Sequence, residues 1–210
     1  MRVQPSKVAS RPPGRAASSI PFVATLVCAA SAALSGVACG ETPARTTPCP
    51  EWAAAPPAKM DALAARLVAL VNARRATLRW APLSEDPRID RVAREYASSM
   101  AASGRFAHRS AKGQAASDRL RAASIVDWDV VAENLALSST VRERGGREAS
   151  LCHDVDSLAA DIESGWYESR AHRRNMILPE LTHVGTGAAY EAKAGTVYVV
   201  QVYVRNRRAG

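Results

Sequence analysis

No Cys-x-x-Cys pair occurs in the 210 residues, and neither does His-Glu-x-x-His, Gly-x-Ser-x-Gly, a glycine-rich phosphate loop or a dinucleotide fingerprint. Each absence removes a chemistry that a local motif would announce: zinc ribbons, zincin proteases, nucleophile-elbow hydrolases, phosphate-loop NTPases and dinucleotide-dependent oxidoreductases. There is no internal repeat. The length suits one domain and a short extra segment, and excludes two domains with separate cores. An apolar fraction of 47% with 23% charged residues is globular composition, which rules out a disordered, collagen-like or polytopic membrane chain.

Acidic residues are missing from the first forty positions, where Arg2, Lys7, Arg11 and Arg15 stand alone. From Ile20 to Ala38 no charge occurs at all, while Phe22, Val23, Leu26, Val27 and Leu34 supply an apolar run. A basic stretch, an apolar stretch and small residues at the end predict a secretory signal over residues 1–38. The alternative is a retained membrane span, although Pro21 and many Ala, Ser and Gly residues dilute the run. Gly36-Val37-Ala38 satisfies the small-x-small cleavage rule and also stands before Cys39 like an imperfect lipoprotein box. Either cleavage starts the mature chain at Cys39; lipidation of Cys39 would decide between a membrane-anchored lipoprotein and a freely secreted protein. Removal of the signal lowers the formal charge from +8 to +4, and the basic residues are scattered, so no nucleic-acid partner is expected.

Export permits disulfides. Cys28 leaves with the signal, and if Cys39 carries lipid, Cys49 and Cys152 remain as an even pair. One disulfide between them and two unpaired thiols both stay open, since bridging needs Cα atoms within roughly 7 Å.

Residues 39–58, rich in Pro, Thr and Ala, read as a linker too proline-interrupted for a helix. Leu63, Leu67, Leu70 and Val71 then recur at helical spacing for about four turns. Ser84 is a candidate cap for a second helix, whose face is Ile89, Val92, Ala93, Tyr96, Ala97 and Met100, ending near Ser103. A short helix is expected near 117–122 and a short strand over 130–135. Val155, Leu158, Ala159, Ile162 and Trp166 mark a third long helix, with Asp154 or Asp156 as its cap. At the C-terminal end, His183–Tyr190 and Thr196–Val204 read as a hairpin. In the last strand Val200, Val202 and Val204 lie on one face and Val197, Val199 and Tyr203 on the other, so the sheet needs cover on both sides. The predicted fold is α+β, a three-layer α-β-α sandwich around a small, mainly antiparallel sheet.

Four elements in order carry a resemblance: Arg105-Phe106-Ala107-His108, Ala132-Glu133-Asn134-Leu135-Ala136, Trp166 through Asn175, and His183-Val184-Gly185-Thr186-Gly187. They resemble motifs of the CAP superfamily (cysteine-rich secretory, antigen 5 and pathogenesis-related 1 proteins) in its bacterial SCP-like form, over residues 59–207. The resemblance implies an extracytoplasmic, monomeric, non-enzymatic binding or interaction module of the envelope, with a lipid, a sterol-like molecule or a protein as ligand. A cleft of two His and two Glu able to bind zinc or another divalent metal is also implied, and His108, Glu133 and His172 match three of those positions. The fourth slot holds Ser169, leaving Glu168 one residue early and Glu163 a turn back as candidates. A metal-dependent hydrolase using this cleft is the alternative function. Nothing in the sequence singles out Ser103, Ser110 or Ser169 as a nucleophile. His153 and His183 read as surface or strand-edge residues, and Trp128, Trp166 and Tyr167 as core or groove lining.

Overall fold

The computed structural model describes residues 49–54, 56–142 and 151–206; the signal segment, Cys39 and most of the expected linker lie outside these residues. Helix α1 (Pro50–Ala54) and helix α2 (Pro56–Thr77) begin inside the stretch read as linker. Proline does not prevent this, because each helix starts on one, where the missing N–H has no intrahelical acceptor to lose. Trp52 of α1 is fully buried and donates through Nε1 to the His153 carbonyl at 2.6 Å. The Cys49–Cys152 disulfide, with Cα atoms 5.7 Å apart, ties this N-terminal piece to the body.

After strand β1 (Ser84–Glu85), helix α3 runs from Pro87 to Ser103. Its cap is Asp86, whose carboxylate accepts from the Arg88 N–H at 2.9 Å, and not Ser84, which lies in β1. Hydrogen bonds from Arg88 hold the Asp86 carboxyl below its ordinary range. Helix α4 (Ala116–Ala122), strand β2 (Trp128–Ser139) and the short pair β3 (Val141–Arg142) and β4 (Leu151–Cys152) follow. Helix α5 (Val155–Glu168) is capped by Asp154, which accepts from the Ser157 N–H at 2.7 Å. Helix α6 (Arg170–Ile177), strand β5 (His183–Glu191) and strand β6 (Thr196–Asn206) complete the described chain.

The main sheet has the order β1-β5-β6-β2, with β1 parallel to β5 and the other pairs antiparallel. Side chains alternate across it as the pleat requires. Val197, Val199 and Tyr203 pack with Leu63, Leu67 and Val71 of α2 and with Leu158, Ile162 and Trp166 of α5. Val200, Val202 and Val204 pack with Ile89, Val92, Ala93 and Met100 of α3 and with Leu120 of α4. The result is an α-β-α sandwich. Helix α3 lies so close to β5 that a Cβ on Gly187 would stand 2.1 Å from the Arg94 nitrogen, and one on Gly185 2.4 Å from Ile89 Cγ2. Only glycine fits either position.

Candidate functional site

The loop after α3 delivers His108, α4 delivers Arg119 and the middle of β2 delivers Glu133. His108 Nδ1 lies 2.8 Å from Glu133 Oε1, and Arg119 Nη2 donates to Glu133 Oε2, so both carboxylate oxygens are engaged. The carboxylate side chain is 5% exposed and that of Arg119 9%. Arg119 is itself caged: its guanidinium stacks on the Tyr96 ring at 3.5 Å, and Nη1 donates to the carbonyls of Gln114 at 3.0 Å and His108 at 3.3 Å. Tyr96 in turn donates through its hydroxyl to the Ala107 carbonyl at 2.5 Å, anchoring the loop that carries His108. Burial pushes the Tyr96 phenol above its ordinary value and keeps it a donor.

Consecutive residues of a strand face opposite ways, so Asn134 points into the other layer, where α6 lies along this edge strand. Asn134 Nδ2 donates to the His172 carbonyl at 3.2 Å, and Asn175 Nδ2 donates to the Glu133 carbonyl at 3.2 Å and to Asn134 Oδ1 at 2.9 Å. His172 is fully buried, and its Nδ1 lies 2.8 Å from Ser169 Oγ. The fold therefore brings His108 and Glu133 into direct contact and sets His172 beside the same stretch of β2. Glu168 does not join them: it is exposed at the last position of α5. Glu163 is buried and held by Arg74 through two bonds of 3.0 and 3.1 Å.

These donors do not fit a metal ion. Among the described residues no group of three or more His, Cys, Asp or Glu side chains is placed to hold one. Glu133 Oε2 is already paired with a cation, the Arg119 guanidinium. Arg119 carries no signal in the sequence because it lies in no motif, and Tyr96 reads there only as part of the apolar face of α3; 14 residues separate Arg119 from Glu133, and only the α4–β2 connection unites them.

One other expectation changes, and one open alternative is decided. His153 is buried, with Nδ1 3.3 Å from Ser157 Oγ and Nε2 3.8 Å from Asp161, and is no surface residue. Trp166 is fully buried core, donating to the Leu135 carbonyl at 3.0 Å, whereas Trp128 and Tyr167 are half-buried. Tyr167 lies under the guanidinium groups of Arg74 and Arg173.

Beside this cluster a groove of about 520 Å³ opens between α3, the 110–114 loop and α4. Val92, Tyr96, Ala122 and Ala123 give it apolar surface, while Arg91, Glu95 and Lys112 bring charges of both signs.

The fold is shared with an extracellular protein containing an SCP domain from Bacillus anthracis: TM-score 0.55, 22% identity, covering 70% of this chain. The present chain spans only 41% of that protein's length. An outer surface protein of Borrelia burgdorferi is also similar, with a TM-score of 0.54, 16% identity and coverage of 67% of this chain and 90% of its own. No curated protein matches the chain. The family model described as the cysteine-rich secretory protein family, CAP, matches residues 68–203, well over half the sequence, and with the motif order and the sandwich in agreement the chain belongs to that family.

Proposed function

We propose that this CAP protein is an exported binding or interaction module of the cell envelope that holds its ligand without chemical turnover. The observation that carries the reading is the engagement of both Glu133 oxygens by His108 and Arg119 at the edge of an open groove. With both oxygens already engaged, Glu133 would have to give up a partner before it could take a proton from a water or a substrate group as a general base. The metal-dependent hydrolase reading needs a donor set that the described residues do not assemble. The groove, by contrast, has the size range and mixed lining of a ligand site. Its apolar side chains beside charged ones suit an amphiphile: a lipid, a sterol-like molecule or a segment of a protein. The signal layout of residues 1–38, and the extracellular and outer-surface descriptions of the two structural relatives, support an extracytoplasmic location.

Titration of the protein with fatty acids, sterols and amphipathic peptides, followed by NMR shifts of Val92, Ala111 and Ala122, tests this. Saturable binding that Ala122→Trp abolishes without lowering the melting temperature is the expected result. Turnover of ester, peptide or phosphoester substrates by protein supplied with Zn²⁺, lost in a folded Glu133→Gln variant, would establish the hydrolase instead.

A further inference from the structure

We infer that the end of the molecule formed by the turn after α2 and the C-terminal part of α6 docks on an anionic lipid surface. Three large apolar side chains stand exposed among the described residues, and two of them, Leu78 at 37% and Trp80 at 40%, flank Arg79 in one turn. Arg79 adopts a left-handed conformation, φ 59°, which a side chain rarely takes, so the turn is tightly specified. Backbone bonds of 3.0 Å from Leu78 and Trp80 to the Arg75 carbonyl close it. Arg75, itself fully buried, clamps it to the neighbouring helix: Nε donates to the Ala81 carbonyl at 2.9 Å, and Nη1 to the Met176 and Leu178 carbonyls at 3.0 Å each. Leu78, Arg79 and Trp80 are thus presented by a rigid mount beside the end of α6.

On that side lies a second groove, of about 430 Å³, lined by Arg170, Arg173, Arg174, Ile177, Leu178 and Pro179. Arg173 is used internally, donating to the Tyr167 carbonyl at 3.0 Å, whereas the Arg170 and Arg174 side chains make no hydrogen bond or ion pair among the described residues and are exposed. Two carboxylates of the adjoining elements are already paired: Glu163 is held by Arg74, and Glu180 faces Arg205 at 3.5 Å.

Charge and apolar surface together select the occupant. Guanidinium groups bind phosphate oxygens through paired N–H donors. A polyanion would satisfy them, but would leave Leu78 and Trp80 in water. At a lipid interface the indole sits at headgroup level and Leu78 enters the acyl boundary, while basic residues near an anionic surface each strengthen partitioning by about fivefold. This surface is separate from the α3–α4 groove, so the inference stands or falls independently of the ligand reading above.

Co-flotation with vesicles tests it, using exported full chain carrying Cys39→Ser so that no N-terminal lipid can be attached. Vesicles of phosphatidylglycerol in phosphatidylcholine are compared with phosphatidylcholine alone, at low and at physiological salt. Partitioning to the anionic vesicles is expected to exceed that to the neutral ones and to fall with salt. Arg170→Glu with Arg174→Glu is expected to reduce it by more than about 20-fold at an unchanged melting temperature. Trp80→Ser should reduce it as well and remove most of the quenching of tryptophan emission by brominated lipid, since Trp52 and Trp166 are fully buried and Trp128 is half-buried on β2, away from this turn. Equal flotation of parent and charge-reversed protein, equal binding to neutral vesicles, or binding to soluble polyphosphate with no flotation would each overturn the inference.

Discussion

Replacing Arg119 by Met isolates the interaction on which the reading of the cleft depends. Met keeps much of the side-chain length and apolar contact with Tyr96, so the change is chiefly loss of a charge and its hydrogen bonds. What remains is a carboxylate 5% exposed, with His108 as its polar neighbour at 2.8 Å. Removing one partner of a buried ion pair costs about 3–5 kcal/mol, because the other charge is left without compensation in a medium of low dielectric. With a urea m-value of ~1–3 kcal/mol/M, such a loss moves the unfolding midpoint by at least about 1 M. Adding Glu133→Gln removes the stranded charge and should recover a large part of the loss at pH 8. Urea unfolding at pH 8 of the parent, Arg119→Met, Glu133→Gln and the double variant is the assay. A loss under about 1 kcal/mol for Arg119→Met, or no recovery in the double variant, would mean that the pair is not the buried, mutually dependent unit described.

The disulfide closes 103 residues, so Cys49→Ser with Cys152→Ser should lower stability by about 2–4 kcal/mol, seen as a melting temperature that matches the parent in reductant. Gly187→Ala should destabilise by at least about 1–3 kcal/mol, because its Cβ would meet the α3 backbone and not a movable side-chain end; a variant as stable as the parent would refute the close helix–strand contact. Burial raises the Asp90 carboxyl above its ordinary value although Oδ1 accepts from the Thr186 N–H at 2.8 Å. A raised carboxyl binds more protons folded than unfolded, so its contribution favours the folded state at low pH and declines as pH rises from the ordinary carboxylate range, near ~3.9, through the folded value. Asp90→Asn keeps the acceptor and should flatten that part of the stability curve, measured by thermal unfolding between about pH 4 and 7.

What could be read from the sequence was whatever depends on period and order. The two faces of β6 follow from alternation of Val197, Val199 and Tyr203 with Val200, Val202 and Val204, and each set is found in its own core layer. Helix α3 follows from a stripe beginning at Ile89, and α5 from one ending at Trp166. The features that went unread depend on a single residue's local geometry. Proline argued against helix over residues 50–58, yet it occupies the first position of both α1 and α2, where its fixed φ favours helix. Ser84 and Asp86 are both capping types two residues apart, and pairing of β1 with β5 at Ser84↔His183 decides between them by drawing Ser84 into the sheet.

The cleft shows the same division at the level of chemistry. Motif order pointed to His108, Glu133 and His172, but a motif specifies which residues approach, and not which of their atoms stay available. Ser169 stands in the slot where the resemblance implied a second carboxylate, and its hydroxyl takes up His172 Nδ1 at 2.8 Å. Arg119, from outside every motif, takes Glu133 Oε2. A missing acid and an added base change the cluster in the same direction: each lowers its negative charge, and the cation that two carboxylates would otherwise attract is supplied covalently by α4. Restoring the acid tests this coupling. Ser169→Glu alone, with Arg119 still seated, should leave Zn²⁺ binding by calorimetry as weak as in the parent, whereas Ser169→Glu with Arg119→Met should produce measurable affinity that falls as pH drops through ~6.5, since imidazole ligands must be neutral. Tight Zn²⁺ binding by the parent, abolished by His108→Ala, would show that Arg119 yields its place and would refute the reading of the cleft as arginine-filled.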